Sequence, residues 1–190
     1  MKRITLLVIF CLTLVSCQNA KNATKEKETL SSEELKIEIT KKEHTLIYFW
    51  TTWCGPCRKT IKDLLPTLER SIDTSKVQLL VVAVSKNDKQ IKDILSTSKL
   101  TSKKLKLDFT GPDIYLNHKL ALKNALEELF VNEKVWRNSV PVFALVNKRG
   151  EVVNARLPKD LDKLLAILDS SVMKKDRSQV SAVKEANVYQ

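Results

Sequence analysis

Two thiols separated by two residues are where residue type and spacing in this chain could first do chemistry. Cys54 and Cys57 flank Gly55-Pro56 within Trp50-Thr51-Thr52-Trp53-Cys54-Gly55-Pro56-Cys57-Arg58-Lys59. A bare C-x-x-C pair serves either redox exchange or metal ligation, and its spacing alone does not choose. Cys54 and Cys57 with His44 and His118 would make a Cys₂His₂ set for zinc or copper. Against that set, the histidines lie far apart in sequence and no second ligand pair follows at knuckle-like spacing. Both read more simply as surface histidines at the ends of elements.

The elements around the pair are legible from periodicity. Thr45-Leu46-Ile47-Tyr48-Phe49-Trp50 is an unbroken β-branched and aromatic run, the pattern of a buried central strand. Beyond Cys57, Ile61, Leu64, Leu65, Leu68 and Ile72 recur at helical spacing. Leu35-Lys36-Ile37-Glu38-Ile39 alternates with period two and predicts a half-buried strand. Further strands are expected over 77–84, 104–109, 141–146 and 151–155, the last two joined by a hairpin turn at Asn147–Gly150. Helices are expected over 88–100 and 116–130, with a final one marked by Leu161, Leu164, Leu165 and Leu168. This order calls for an α/β fold whose sheet mixes parallel and antiparallel strands under helices on both faces.

At 190 residues and 43% hydrophobic content there is room for one ordinary domain with tails. The net charge of +11 is dispersed among acids, as in Lys25-Glu26-Lys27-Glu28, so it reads as a solvated basic surface and not as a nucleic-acid site. Lys2 and Arg3 precede an apolar stretch, Ile4 to Val15, that is short for a membrane span and suited to a signal peptide. Leu14-Val15-Ser16-Cys17 resembles the lipobox of bacterial lipoproteins, which implies cleavage before Cys17, acyl chains on that thiol (palmitate among them) and attachment to a membrane. Cys11 would leave with the leader. Two free thiols then remain in an exported chain, too few for a disulfide-stapled scaffold. The expected organisation is a signal over 1–16, a polar tether over 17–33, one domain over 34–173 and a polar tail over 174–190.

The Trp-Cys-Gly-Pro-Cys core between a strand and a helix resembles the thioredoxin superfamily, and within it the membrane-tethered TlpA/ResA-like disulfide oxidoreductases. The similarity runs from residue 35 to about 170, with a lengthened middle segment. It implies a thioredoxin fold, a central mixed sheet flanked by helices, whose only redox group is the Cys54–Cys57 disulfide. No other cofactor and no metal are implied. Two residues between the thiols let one turn bring the sulfurs together. At a helix N-terminus, the Cys54 thiol should fall below its free value of about 8.5, toward ~7, and attack as the thiolate. Cys57, one turn in, would resolve the mixed disulfide.

Ser139-Val140-Pro141-Val142-Phe143 matches a second motif, which implies a cis Pro141 opposite the disulfide and a Val140 backbone that pairs with substrate. The substrate-binding set is then Trp53, Gly55, Pro56, Val140 and Pro141. Implied partners are protein disulfides or dithiols and a transmembrane thiol electron donor, at the extracytoplasmic face of the cell envelope. Gly55-Pro56 resembles reducing members, which favours a disulfide reductase. A thioredoxin-fold binding or metal module without turnover is the alternative. Three positions depart from the pattern: Tyr48 replaces a buried acid, Thr60 replaces a glutamate, and Lys62 replaces a proline, with Pro66 a turn later. Glu43, Asp63 or water remain as carriers for the Cys57 proton.

Overall fold

The strand ahead of the cysteines shows no polar alternation because both of its faces are covered. In the computed structural model, which describes residues 28–130, 139–155 and 157–171, every residue from His44 to Trp50 is buried. Cys17, the leader expected over 1–16 and the tail expected over 174–190 lie outside the described residues. The elements are β1 (Thr29–Leu30), α1 (Ser32–Ile39), β2 (His44–Trp50), α2 (Gly55–Lys59), a wide π-helical turn (Thr60–Leu64), α3 (Leu65–Ser71), β3 (Val77–Ala83), α4 (Asp88–Ser96), β4 (Lys103–Leu107), α5 (Tyr115–Leu129), β5 (Val142–Asn147), β6 (Val152–Asn154) and α6, residues 161–171.

The strands form one mixed sheet in the order β1-β4-β3-β2-β5-β6. The first four run parallel, β5 is antiparallel to β2, and β6 is antiparallel to β5. Side chains of β2 alternate between two cores, as a period of two requires. Leu46, Tyr48 and Trp50 meet Ile61 of the π-helical turn, Leu65 and Leu68 of α3, and Leu164 and Leu168 of α6. Ile47 and Phe49 meet Leu35 and Ile39 of α1 and Leu122 and Leu126 of α5. This is the thioredoxin fold, with α4, β4 and α5 between β3 and β5.

One expected strand is a helix. Residues 35–39 lie in α1, because Ser31 caps it: its Oγ accepts the Glu34 N–H at 3.2 Å while the Glu34 carboxylate accepts the Ser31 N–H at 2.9 Å. Leu35 and Ile39, four residues apart, point into the core on one helical face, and Ile37 between them is 65% exposed. Structure also begins inside the stretch expected to be tether, where Thr29–Leu30 pairs with Lys106–Leu107 of β4. The π-helical turn has a local cause. Pro66 cannot donate to the preceding turn, and Leu65 N–H reaches back to Thr60 O, five residues away.

The register sets the chemistry at one end of the sheet. Trp50 pairs with Ala83, and Phe49 pairs with Val142. The turn leaving β2 and the segment entering β5 therefore lie side by side, at the carboxyl end of the parallel strands.

Candidate active site

Cys54 and Cys57 are joined in a disulfide that closes the first turn of α2, with their Cα atoms 5.2 Å apart. Cys54 is the residue that caps this helix: its Sγ accepts the Cys57 N–H at 3.1 Å, and its carbonyl accepts the Arg58 N–H at 3.1 Å. Amide hydrogens of a first helical turn have no partner within the helix, so a sulfur at the cap is held among donors that favour its anionic form. Cys54 is 3% exposed and Cys57 is fully covered. Arg58 and Lys59 are both exposed.

The turn is anchored on both sides. Val84 N–H donates to Trp50 O, Cys54 N–H donates to Thr51 O, and the buried Thr52 hydroxyl lies 3.4 Å from the Ser85 hydroxyl past the end of β3. The Val140–Pro141 peptide bond is cis. Val140 packs against the same cluster as the two cysteines, and Pro141 stands beside Trp50 by the β2–β5 register. Of the substrate-binding set expected from sequence, Gly55 and Pro56 lie exposed on the turn and Trp53 is 36% exposed beside it.

Beneath the pair stands Tyr48. Its ring packs against Phe143 at 4.6 Å between centroids, and its hydroxyl donates to Cys57 O at 3.1 Å. Burial pushes the phenol well above its ordinary value, against a weaker opposing hydrogen bond with Thr60. Tyr48 is therefore a donor throughout the range where thiols titrate, and it cannot take the Cys57 proton. Neither carboxylate suggested for that role is placed for it: Asp63 is exposed, and Glu43 precedes β2 at the end away from the cysteines. The Trp50 indole N–H and the Thr51 hydroxyl are buried here without a hydrogen-bond partner.

The histidines depart from expectation. Both are buried, each 2% exposed, and neither is a surface residue. His44 opens β2 and the cysteines follow its end, so a strand of seven residues, about 20 Å, separates them. The Cys54, Cys57, His44, His118 metal set cannot converge. His118, in contrast, belongs to the site. The Trp53 Nε1–H donates to His118 Nδ1 at 2.7 Å, and His118 Nε2 meets Asp113 Oδ1 at 2.5 Å. Asp113 also accepts the Lys86 N–H at 2.6 Å and approaches the Ser85 hydroxyl at 3.3 Å. Burial would raise the Asp113 carboxyl, but the Lys86 amide, His118 and Ser85 outweigh it and hold it below the usual carboxylate value. Nothing local in sequence signals this relay, which joins residues 53, 85, 86, 113 and 118 through the fold. A separate cleft of about 420 Å³, lined by Glu28, Asp88, Ile91 and Lys106 among others, lies between β4 and α4 and takes no part in the cysteine site.

A family model described as thioredoxin matches residues 26–97, from just ahead of β1 to the end of α4, with the disulfide turn inside the match. That stretch of the chain is thioredoxin-like. Thioredoxin-like protein YneN of Bacillus subtilis is 34% identical over 79 residues, 39% of this chain and 44% of the relative, so the match spans less than half of that relative's length. The sporulation thiol-disulfide oxidoreductase A of the same organism is 24% identical over 136 residues, 68% of each chain. Among solved structures, the thioredoxin domain of a thiol-disulfide oxidoreductase from Bacteroides vulgatus superposes with a TM-score of 0.52 at 21% identity, covering 72% of this chain and 84% of that one. That likeness places the six-stranded sheet within the thioredoxin fold.

Proposed function

We propose that this chain is an extracytoplasmic protein thiol–disulfide oxidoreductase working as a reductase through Cys54 and Cys57. The observation that carries the reading is the closed disulfide on the first turn of α2, with Cys54 capping the helix and Cys57 buried behind it. In the reduced form the Cys54 thiolate attacks one sulfur of a substrate disulfide. The substrate S–S bond breaks, one substrate thiolate leaves, and a mixed disulfide forms on Cys54. Cys57 then loses its proton and attacks Cys54 Sγ, which releases the second substrate thiolate. Two electrons have passed to the substrate, and the Cys54–Cys57 disulfide must be reduced again by a dithiol donor, on this reading a transmembrane thiol carrier. Trp53, Gly55, Pro56, Val140 and Pro141 form the surface against which the substrate strand lies.

The direction rests on Gly55-Pro56 between the thiols, and it is tested by the reduction potential. Equilibration of the purified chain with a dithiothreitol or glutathione couple should give a value near roughly −270 mV, as for reducing thioredoxins. A value near about −120 mV, that of a strong oxidant, would make the protein an oxidase. The anchor rests on Leu14-Val15-Ser16-Cys17 and the polar residues after it. Cys17→Ala should leave exchange intact and release the chain from membranes. A variant that still fractionates with membranes, with no acyl group on the native chain, removes that part of the reading.

A further inference from the structure

Outside the disulfide turn, the hydrogen-bond chain from Trp53 through His118 to Asp113 connects the active-site surface to the loops beyond β3 and β4. Its chemistry fixes its protonation. An indole N–H can only donate, so Nδ1 of His118 must be the acceptor and carry no proton. A carboxylate can only accept, so Nε2 carries the hydrogen and donates to Asp113. The imidazole is thus neutral and in a single tautomer, and Asp113 is in turn held by the Lys86 amide and the Ser85 hydroxyl. The rings agree with this arrangement. Trp53 and His118 lie nearly parallel, 8° between planes, with Tyr115 packed on the indole at 4.4 Å and Phe109 edge-on to the imidazole at 5.6 Å.

We propose that His118 is a positioning residue for disulfide exchange, its neutral imidazole holding the Trp53 indole in one pose as the wall beside the Cys54–Cys57 disulfide. The inference rests on the reading of that disulfide as the exchange centre. His118 touches no sulfur; it acts through Trp53. The wall is also sensitive to acid. A proton on Nδ1 turns the acceptor into a second donor facing the indole N–H, and the bond cannot survive. Among the described residues, the titratable and charged groups that meet the imidazole or its ring neighbours are Asp113 and Lys86 from the two loops, with Tyr115 and Lys119 from α5. Lys86 Nζ lies at 5.0 Å over the Phe109 ring, which meets the imidazole edge-on, and Lys119 Nζ lies at 5.4 Å over Tyr115, a ring that packs on Trp53. Of these four groups, Asp113 is the one that hydrogen-bonds to it.

The test compares His118→Gln, whose amide can accept from the indole and donate to Asp113 without titrating, with His118→Leu, which can do neither. Trp53→Phe, at a partly exposed position, removes the donor and serves as a second route if His118→Leu does not fold. Two readouts are used: hydrogen exchange of the Trp53 indole N–H, assigned by its loss in Trp53→Phe, and KM and kcat for a protein disulfide against a small aromatic disulfide. In the wild type the indole N–H should be protected, exchanging more slowly than its intrinsic rate at the same pH, and this protection should fall as the solution is acidified. In His118→Gln the protection should persist across that range, and in His118→Leu it should be absent throughout. KM for the protein disulfide should rise roughly three- to tenfold in His118→Leu and in Trp53→Phe, the size of one lost hydrogen bond, more than for the small disulfide and with recovery in His118→Gln. Indole exchange that is the same in all His118 forms, or a glutamine variant no better than leucine, would overturn the proposal. A wild type that exchanges no disulfide at all would instead sink the functional reading, and the indole measurement would still report on the bond itself.

Discussion

The two sides of the disulfide turn are built differently. Below it, the floor is dry: Tyr48, Trp50 and Cys57 are fully buried, the Tyr48 hydroxyl donates to a backbone carbonyl, and the Trp50 indole N–H has no partner. Beside it, the rim is polar: the Trp53 indole hands its hydrogen bond to His118, and His118 to an ionised Asp113. The floor holds the thiols by packing and offers Cys57 no side-chain base from Tyr48. The rim manages charge, but it does so around the exposed Trp53 and not behind Cys57. On the proposed reading, the titratable groups of the rim shape how a substrate meets the disulfide. Tyr48, Glu43 and Asp63 are not placed to take the Cys57 proton.

This contrast can be broken from either side. Tyr48→Ala should have the largest effect, costing about 3–5 kcal/mol in urea-induced unfolding because an aromatic side chain is removed from a packed core. Gly111→Ala acts on the rim's support. Gly111 has φ +89°, and an added Cβ would lie 2.8 Å from the Asn117 amide nitrogen. The loop that delivers Asp113 should therefore strain by about 1–2 kcal/mol, read as a lower urea midpoint. Tyr48→Phe keeps the floor packed and removes the hydroxyl with its bonds to Cys57 O and Thr60, a loss of about 1 kcal/mol. The smallest effect is expected from Asp113→Asn, and its sign follows from the lowered carboxyl value. Stability from an ionised Asp113 is fully present above its unfolded value of about 3.9 and fades as pH falls through the lower folded value. Unfolding curves across that acid range should show the wild type losing an increment, under about 1 kcal/mol, that the variant never had.

The same two regions mark what could be read from sequence. The floor is continuous in the chain: the β2 run, the C-x-x-C turn and the helical repeat of Ile61, Leu65 and Leu68 each announce themselves by local periodicity, and the fold follows from their order. The rim is assembled from a residue after β3, one in the loop before α5 and one on α5, so no window of sequence contains it. A buried histidine is then indistinguishable from an exposed one. The misread of residues 35–39 has a different cause. Leu35, Ile37 and Ile39 fit period two, but Leu35 and Ile39 also share a helical face, and a five-residue window cannot separate the two patterns. The deciding signal stood just upstream, in Ser31 and Glu34 at capping-box spacing.

The central claim is that Cys54 attacks and Cys57 resolves, and serine substitutions separate the two roles. Incubated with a disulfide-bonded protein substrate and quenched with acid, Cys57→Ser should accumulate a mixed disulfide linking Cys54 to the substrate, visible as a band that reductant dissolves. Cys54→Ser should accumulate none, because Cys57 is buried beneath the turn. Equal trapping by both variants, or trapping by Cys54→Ser alone, would contradict the account.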